Sequence, residues 1–481
     1  MPKLFYILLF LALPLSAQIN VVPQPNEITY HKGTCPISTK ISYIQDKSIN
    51  NPEGYQLIIK PNQIIIKFAT EAGKFYAEQT FNQLVFGAEV THKKSLPCLT
   101  ITDAPRFAYR ALMIDPARHY WKIDDIKKYI NVMAHYKFNY LHLHLTDDQG
   151  WRIEIKKYPK LTEIGSKRSD FEGSKRNNEG FYTQEQIKDL VLYALQRNVQ
   201  LVPEFDVPGH SDAAIAAYPF LSCNDTLIGV RTTAGVSKNL LCVGKEEVFT
   251  FIDDVISELS AIFPCPYFHI GGDEAPMDKW LEHSPTLKLK QSLHTTNNQQ
   301  LMSEFFKRVN QSLEKNHKRP LIWLELEVPS YPQNSVMYLW RMRTTPQVLE
   351  RAKKDNFKLI CSPGEYAYFD YPQAKNDLPN VDWMPTLTLQ RVYEFNPAFS
   401  LTAEEEKQYI LGVEATLWGE SVKDVFRAFY MTYPRALALS EAGWTEMSKR
   451  DWQQFTQKLD LQLQYLLHKG INYRPPVELH Q

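Results

Sequence analysis

Tyr267-Phe-His-Ile-Gly-Gly-Asp-Glu274 is a short apolar strand that runs into two glycines and ends on two carboxylates. Glycines at 271 and 272 open backbone conformations that a side chain would forbid, and they let a ligand come close. Adjacent acids at a strand end repel each other unless each has its own task, one as proton donor and the other as an ionised partner. Working outward, the same kind of apolar run recurs at Ala111–Ile114, Phe138–Leu145, Val199–Phe205, Pro320–Leu324, Ser335–Leu339, Phe357–Cys361 and Ile410–Ala415. Helical spacing falls between several of these runs: Ile126, Tyr129, Ile130 and Met133 recur at i, i+3, i+4, i+7. Ile187, Leu190, Val191 and Ala194 do the same behind a Thr183/Gln186 capping box. Eight strands alternating with helices imply an α/β protein built on a TIM (β/α)8 barrel, with the long segments 146–182 and 206–245 as loops on its active-site face.

The N-terminal part reads differently. Residues 1–17 pair Lys3 with the apolar run Leu4–Leu15 and then Ser16 and Ala17, the pattern of a secretory signal peptide, so the chain is expected to be exported to a periplasmic or extracellular space. From 18 to 103 the runs Gly54–Lys60 and Gln63–Phe68, joined by Pro61-Asn62, predict a hairpin, and Ala77, Phe81, Leu84 and Val85 predict a helix. This segment is expected to form a small α/β accessory domain ahead of a barrel over 104–481. Lys plus Arg and Asp plus Glu both number 54, with no basic block, which argues against nucleic acid and against an anionic membrane surface as partners. No span of the mature chain reads as a membrane helix. In an exported protein the six cysteines are potential disulfide partners, with Cys223 and Cys242 placed to close a loop, and there is no CxxC motif.

If the barrel forms, residues just past each strand converge. They are Arg118 and His119; Asp147, Asp148 and Trp151; Glu204, Asp206 and His210; Asp273 and Glu274; Trp323 and Glu325; Trp340 and Arg341; Tyr366, Tyr368 and Asp370; Trp418 and Glu420. Carboxylates and arginine fork onto hydroxyls while Trp and Tyr faces pack against the C–H surface of a sugar ring, so such a pocket suits a pyranose. Two other readings stand beside this one. His142-Leu-His144 with Asp147 puts two imidazoles on one face of a strand and would suit a metal-dependent hydrolase. A non-catalytic carbohydrate-binding protein would also explain the aromatics, though not an adjacent Asp-Glu pair.

The motifs Met113–His119 (MIDPARH), Asn139–Arg152 (NYLHLHLTDDQGWR), Pro203–Ser211 (PEFDVPGHS), His269–Glu274 (HIGGDE) and Gly412–Glu420 (GVEATLWGE) together resemble glycoside hydrolase family 20, the β-N-acetylhexosaminidases. The resemblance covers nearly the whole mature chain. It implies a substrate-assisted mechanism, in which the sugar's own acetamido oxygen attacks. Glu274 would be the general acid/base and Asp273 the residue that holds and polarises the acetamido group. Arg118, Asp370 and Glu420 would bind sugar hydroxyls, Tyr368 would donate to the acetamido oxygen, and Trp323, Trp383 and Trp418 would wall the pocket. Asp147, Asp206 and His210 would support Glu274. No metal and no cofactor is implied, and the partner is a glycan. The tryptophans are expected to surround Glu274 and keep it protonated, while Asp273 stays ionised. Pro116 and Phe369 depart from the family pattern at positions that touch no presumed contact.

Overall fold

A computed structural model describes residues 19–169, 179–225, 227–379, 381 and 384–476. The expected signal peptide over 1–17 and Trp383 lie outside the described residues. The first unit contains β1 (Glu27–Pro36), β2 (Ile41–Gln45), β3 (Tyr55–Lys60), β4 (Gln63–Phe68), helix α1 (Glu71–Val90) and β5 (Ser95–Asp103). The sheet order is β1-β5-β3-β4-β2, with β2 parallel to β4 and the other pairs antiparallel. Asn62, at φ 59°, makes the tight turn between β3 and β4. Strand alternation buries Leu57, Ile59, Ile64, Ile66, Leu99 and Ile101 on one face, where α1 covers them with Tyr76, Ala77, Phe81 and Leu84.

The second unit is the expected barrel. Its parallel strands are β6 (Tyr109–Ile114) and β7 (Tyr140–His144), followed by a two-residue hairpin of β8 (Thr146–Asp147) and β9 (Gly150–Trp151). Then come β10 (Gln200–Glu204), β11 (Tyr267–His269), β12 (Arg319–Trp323), β13 (Val336–Leu339), β14 (Lys358–Cys361) and β15 (Ile410–Ala415). Strands β6, β7 and β10 to β15 form one closed ring of eight, sealed where β15 pairs with β6. At that seam a Cβ on Gly412 would stand 1.7 Å from the Tyr109 carbonyl oxygen, so only glycine permits the approach. Leu112, Ile114, Leu141 and Leu143 point outward under the helices, including Ile123–His135 and Gln184–Leu195, whose Thr183/Gln186 capping box is formed. The inward set carries an apolar and aromatic layer of Tyr109, Ala111, Val202, Leu321, Tyr338 and Ile360. Above it lies a polar layer of His142, His144, Glu204, His269 and Glu414, all fully buried.

Buried charges weld the two units together. Arg110, at the root of β6, donates twice to Glu53 at 2.9 Å, and also to Tyr76 OH at 3.1 Å and to the carbonyls of Phe107 and Lys137 at 2.7 and 2.9 Å. Beside it, Lys137 lies 3.2 Å from Asp103, which also accepts from Tyr55 OH and from the Trp444 indole at 2.7 and 2.9 Å. Removing one partner of such a pair strands the other without water. Arg110→Met is therefore expected to lower the unfolding free energy by about 3 kcal/mol or more, measured by denaturant titration. The wild-type accessory unit and barrel should unfold in one transition, and two separated transitions would contradict this weld.

Candidate active site

The segment that follows β11 turns sharply. Gly271 and Gly272 have φ of 63° and 97°, and a Cβ on Gly271 would stand 1.7 Å from Asp206 Oδ1. The turn is completed by Glu274 itself at φ 48°, a conformation uncommon for a side-chain-bearing residue and often found where geometry serves function. Both acids thereby reach a cavity of about 440 Å³ at the C-terminal mouth of the barrel. Its walls include Arg118, Asp147, Asp206, His210, Asp273, Glu274, Tyr368, Asp370, Trp418 and Glu420, ten of the twelve positions singled out from sequence.

Two positions are placed otherwise. Trp383 is not described. Trp323 is buried beneath the cavity and does not line it: its indole donates to Glu204 Oε1 at 3.1 Å and packs 5.8 Å from Trp418, so it supports the wall. Trp340, placed among the strand-end residues from sequence but given no role there, lines the cavity directly after β13. Other lining residues escaped the sequence reading. Ala234, Gly235, Val236, Val381 and Met384 carry no chemical signal, because their place is set by loop packing. The 234–236 stretch is held by the Cys223–Cys242 disulfide and by Ser237 and Asn239, which donate to Asp212 at 2.9 and 2.7 Å. The other four cysteines are free and buried.

Electrostatics divide the two acids in an unexpected way. The Glu274 side chain is 38% exposed in the open pocket, and Asp273 is the buried one. Tryptophans therefore do not enclose Glu274, because the cavity mouth opens on its side. Burial pushes Asp273 up to about 7 against the pull of His210, with Glu274 adding to the rise. Burial likewise carries Asp206 well above the usual carboxylate range, and Asp206, His210 and Asp273 all place polar atoms within 4.8 Å of one another. Asp273 Oδ1 and Asp370 Oδ1 are buried with no hydrogen-bond partner in the structure. Such atoms are expensive to leave unpaired, and here each belongs to a residue lining the cavity, where an incoming donor would satisfy it.

Arg118 and His210 are tied together through Asp147. Its Oδ2 lies 2.8 Å from Arg118 Nη2 and 2.7 Å from His144 Nε2, and its Oδ1 lies 3.3 Å from His210 Nδ1. His210 Nε2 faces Glu274 Oε2 at 3.7 Å. Arg118 also donates to Asp115 at 3.0 Å and to Gln149 at 2.9 Å, and its guanidinium sits 5.3 Å over the Trp418 ring. The HxH pair lies inside the barrel and lines no part of the cavity. His142 Nδ1 and Nε2 are 2.8 Å from Glu414 and 3.1 Å from Glu204, while His144 bridges Glu204 and Asp147. Burial disfavours charge on His142, yet Glu414 and Glu204 lift it to about 9. Both His142 nitrogens thus face carboxylates, which a metal would have to displace.

A model of the family 20 glycosyl hydrolase catalytic domain matches residues 107–447, and a model of that family's domain 2 matches residues 39–104. A β-hexosaminidase of Akkermansia muciniphila is 38% identical over 461 residues, covering 95% of this chain and 92% of that one. The crystal structure of a β-N-acetylhexosaminidase superimposes with a TM-score of 0.89 at 36% identity over 94% of this chain and 96% of that chain. An exo-β-N-acetylglucosaminidase from Vibrio harveyi, solved with N-acetylglucosamine, gives 0.84 at 30% identity over 95% of this chain and 78% of that one. With a family model spanning the whole barrel and a relative of this identity along nearly its full length, the chain belongs to glycoside hydrolase family 20.

Proposed function

We propose that this hydrolase removes terminal non-reducing N-acetylglucosamine or N-acetylgalactosamine residues, acting as an exo-β-N-acetylhexosaminidase with retention through substrate-assisted hydrolysis. The observation that carries the reading is the buried Asp273 with an unpartnered Oδ1 next to the open Glu274 on one turn. Neighbouring residues on one loop are poorly placed to flank opposite faces of a glycosidic bond, as two enzymic carboxylates normally do. The nucleophile is then the substrate's acetamido oxygen. Asp273 accepts the acetamido N–H and balances positive charge on the oxazolinium nitrogen, and Tyr368 donates to the acetamido oxygen. Glu274 protonates the departing oxygen and afterwards takes a proton from water. Arg118, Asp370 and Glu420 take sugar hydroxyls, and Trp418 covers the apolar face of the ring. Asp147, Asp206 and His210 hold Glu274 and Asp273 in place.

The two acids have separable tasks. Glu274→Gln should lose about 10²–10⁴-fold in kcat on a glycoside with a poor leaving group and much less on an activated aryl glycoside, because general-acid help matters less there. Asp273→Asn should damage both substrates alike. Equal losses in Glu274→Gln on both substrates would remove the acid role.

The pH dependence follows from the burial of Asp273. Its carboxylate must be ionised to receive the acetamido group, so kcat/KM should fall as pH drops through about 7. The corresponding limb of kcat should lie at lower pH, since a bound N–H favours the carboxylate. Asp273→Asn should abolish the limb, and its survival in that variant would assign it to another group.

A cavity of about 440 Å³ accommodates one pyranose and closes around its far hydroxyls. Product profiling on a chito-oligosaccharide should show monosaccharide released from the non-reducing end. Early dimers or internal fragments would contradict this.

A further inference from the structure

We propose that His144 is a permanent imidazolium, clamped between Glu204 and Asp147, and that this buried cation is the positioning residue that holds Asp147 as an anion for both Arg118 and His210. The inference rests on the functional reading above and gives a task to the HxH motif, which that reading leaves unused.

The argument is a count of protons and lone pairs. His144 Nδ1 contacts Glu204 Oε2 and His144 Nε2 lies 2.7 Å from Asp147 Oδ2. A nitrogen lone pair and a carboxylate lone pair cannot share such a gap without a proton between them. The proton is assigned to the ring at both ends because the donors that reach both carboxyls, Trp323 on one and Arg118 with the Asp148 N–H on the other, stabilise them as anions. Glu204 Oε1 takes the Trp323 indole N–H at 3.1 Å and Glu204 Oε2 lies 3.1 Å from His142 Nε2, while His269 Nδ1 accepts the Gly271 backbone N–H at 3.0 Å. Asp147 takes the Asp148 backbone N–H at 2.6 Å, Arg118 at 2.8 Å and His210 at 3.3 Å. Asp115 adds negative charge around the ring, the Trp418 ring packs against it at 5.2 Å, and Arg118 Nη1 lies 3.3 Å away as an opposing cation. Burial works against a charged ring, and the surrounding carboxylates outweigh it, carrying His144 well above its ordinary range.

The consequence reaches the reacting groups. An anionic Asp147 fixes His210 as an Nδ1–H donor, which aims His210 Nε2 at Glu274, and it orients the Arg118 guanidinium towards Glu420 at 3.7 Å. A neutral side chain at 144 has one fewer donor for this job, and its loss also removes a buried positive charge.

Neutron diffraction from deuterated wild-type crystals at pH 8 tests the idea directly. Deuterium is expected on both His144 nitrogens and on no oxygen of Glu204 or Asp147. A single deuteron on the ring, or a deuterated carboxyl at either end, overturns the proposal. In solution, His144→Gln should lose at least about tenfold in kcat on an unactivated glycoside, with its pH–rate profile moved to higher pH, because neighbouring acids keep their protons longer once a cation is gone. A wild-type profile in that variant overturns the proposal too. If the variant does not fold, the deuteron count decides alone. A wild-type protein inert on every 2-acetamido glycoside would sink the functional reading while leaving that count intact.

Discussion

The Asp147 carboxylate is the point on which the site hangs. It is fully buried and receives Arg118, His144, His210 and the Asp148 backbone N–H, so one anion sets the geometry of a cavity-lining cation and of the histidine beside Glu274. A buried carboxylate is tolerable only when its lone pairs are filled by donors and its charge is balanced. Both conditions are met here by residues from four separate segments: the loop after β6, the end of β7, the β8–β9 hairpin and the loop after β10. The barrel brings these segments together because parallel strands deliver all their C-terminal ends to one face.

Beneath that anion the barrel interior is polar where most barrels of this kind are packed with aliphatic side chains. Glu414, His142, Glu204 and His144 alternate in sign along a chain of contacts, and the hydroxyls of Tyr109 and Tyr338 close its lower end at 3.1 and 2.8 Å from Glu414. Such a network rigidifies a core when every member is satisfied and destabilises it when one is not. Here it floors the cavity, and Trp323 joins floor to wall by bonding Glu204 while packing on Trp418. The accessory unit is held by the same device at the opposite end of β6, through Arg110 and Glu53.

The paired acids depend on this support and on backbone strain. Glu274 keeps a left-handed φ, and Gly271 makes room for Asp206 where any Cβ would collide. Asp273 is left with a buried, unpartnered oxygen and a raised affinity for protons, a state that the substrate amide of the proposed mechanism would relieve. The free site is thus destabilised where a ligand donor would restore a missing interaction.

Apolar runs marked the eight barrel strands, helical spacing the helices before β7 and β10, and Pro61-Asn62 the turn, because burial and turn geometry each leave a local pattern. The strand-end rule found most of the cavity walls for the same reason, since the residue after a barrel strand has only one place to go. Tertiary structure decided the rest. Whether Trp323 faces the cavity or supports it depends on its neighbours Glu204 and Trp418, which are far away in sequence. Whether Ala234 to Val236 reach the cavity depends on a disulfide and on Asp212. Which of Asp273 and Glu274 is buried, and whether His142 and His144 face a ligand or each other's carboxylates, turned on how the strands close around them, because burial and charge are sums over contacts that no local pattern contains.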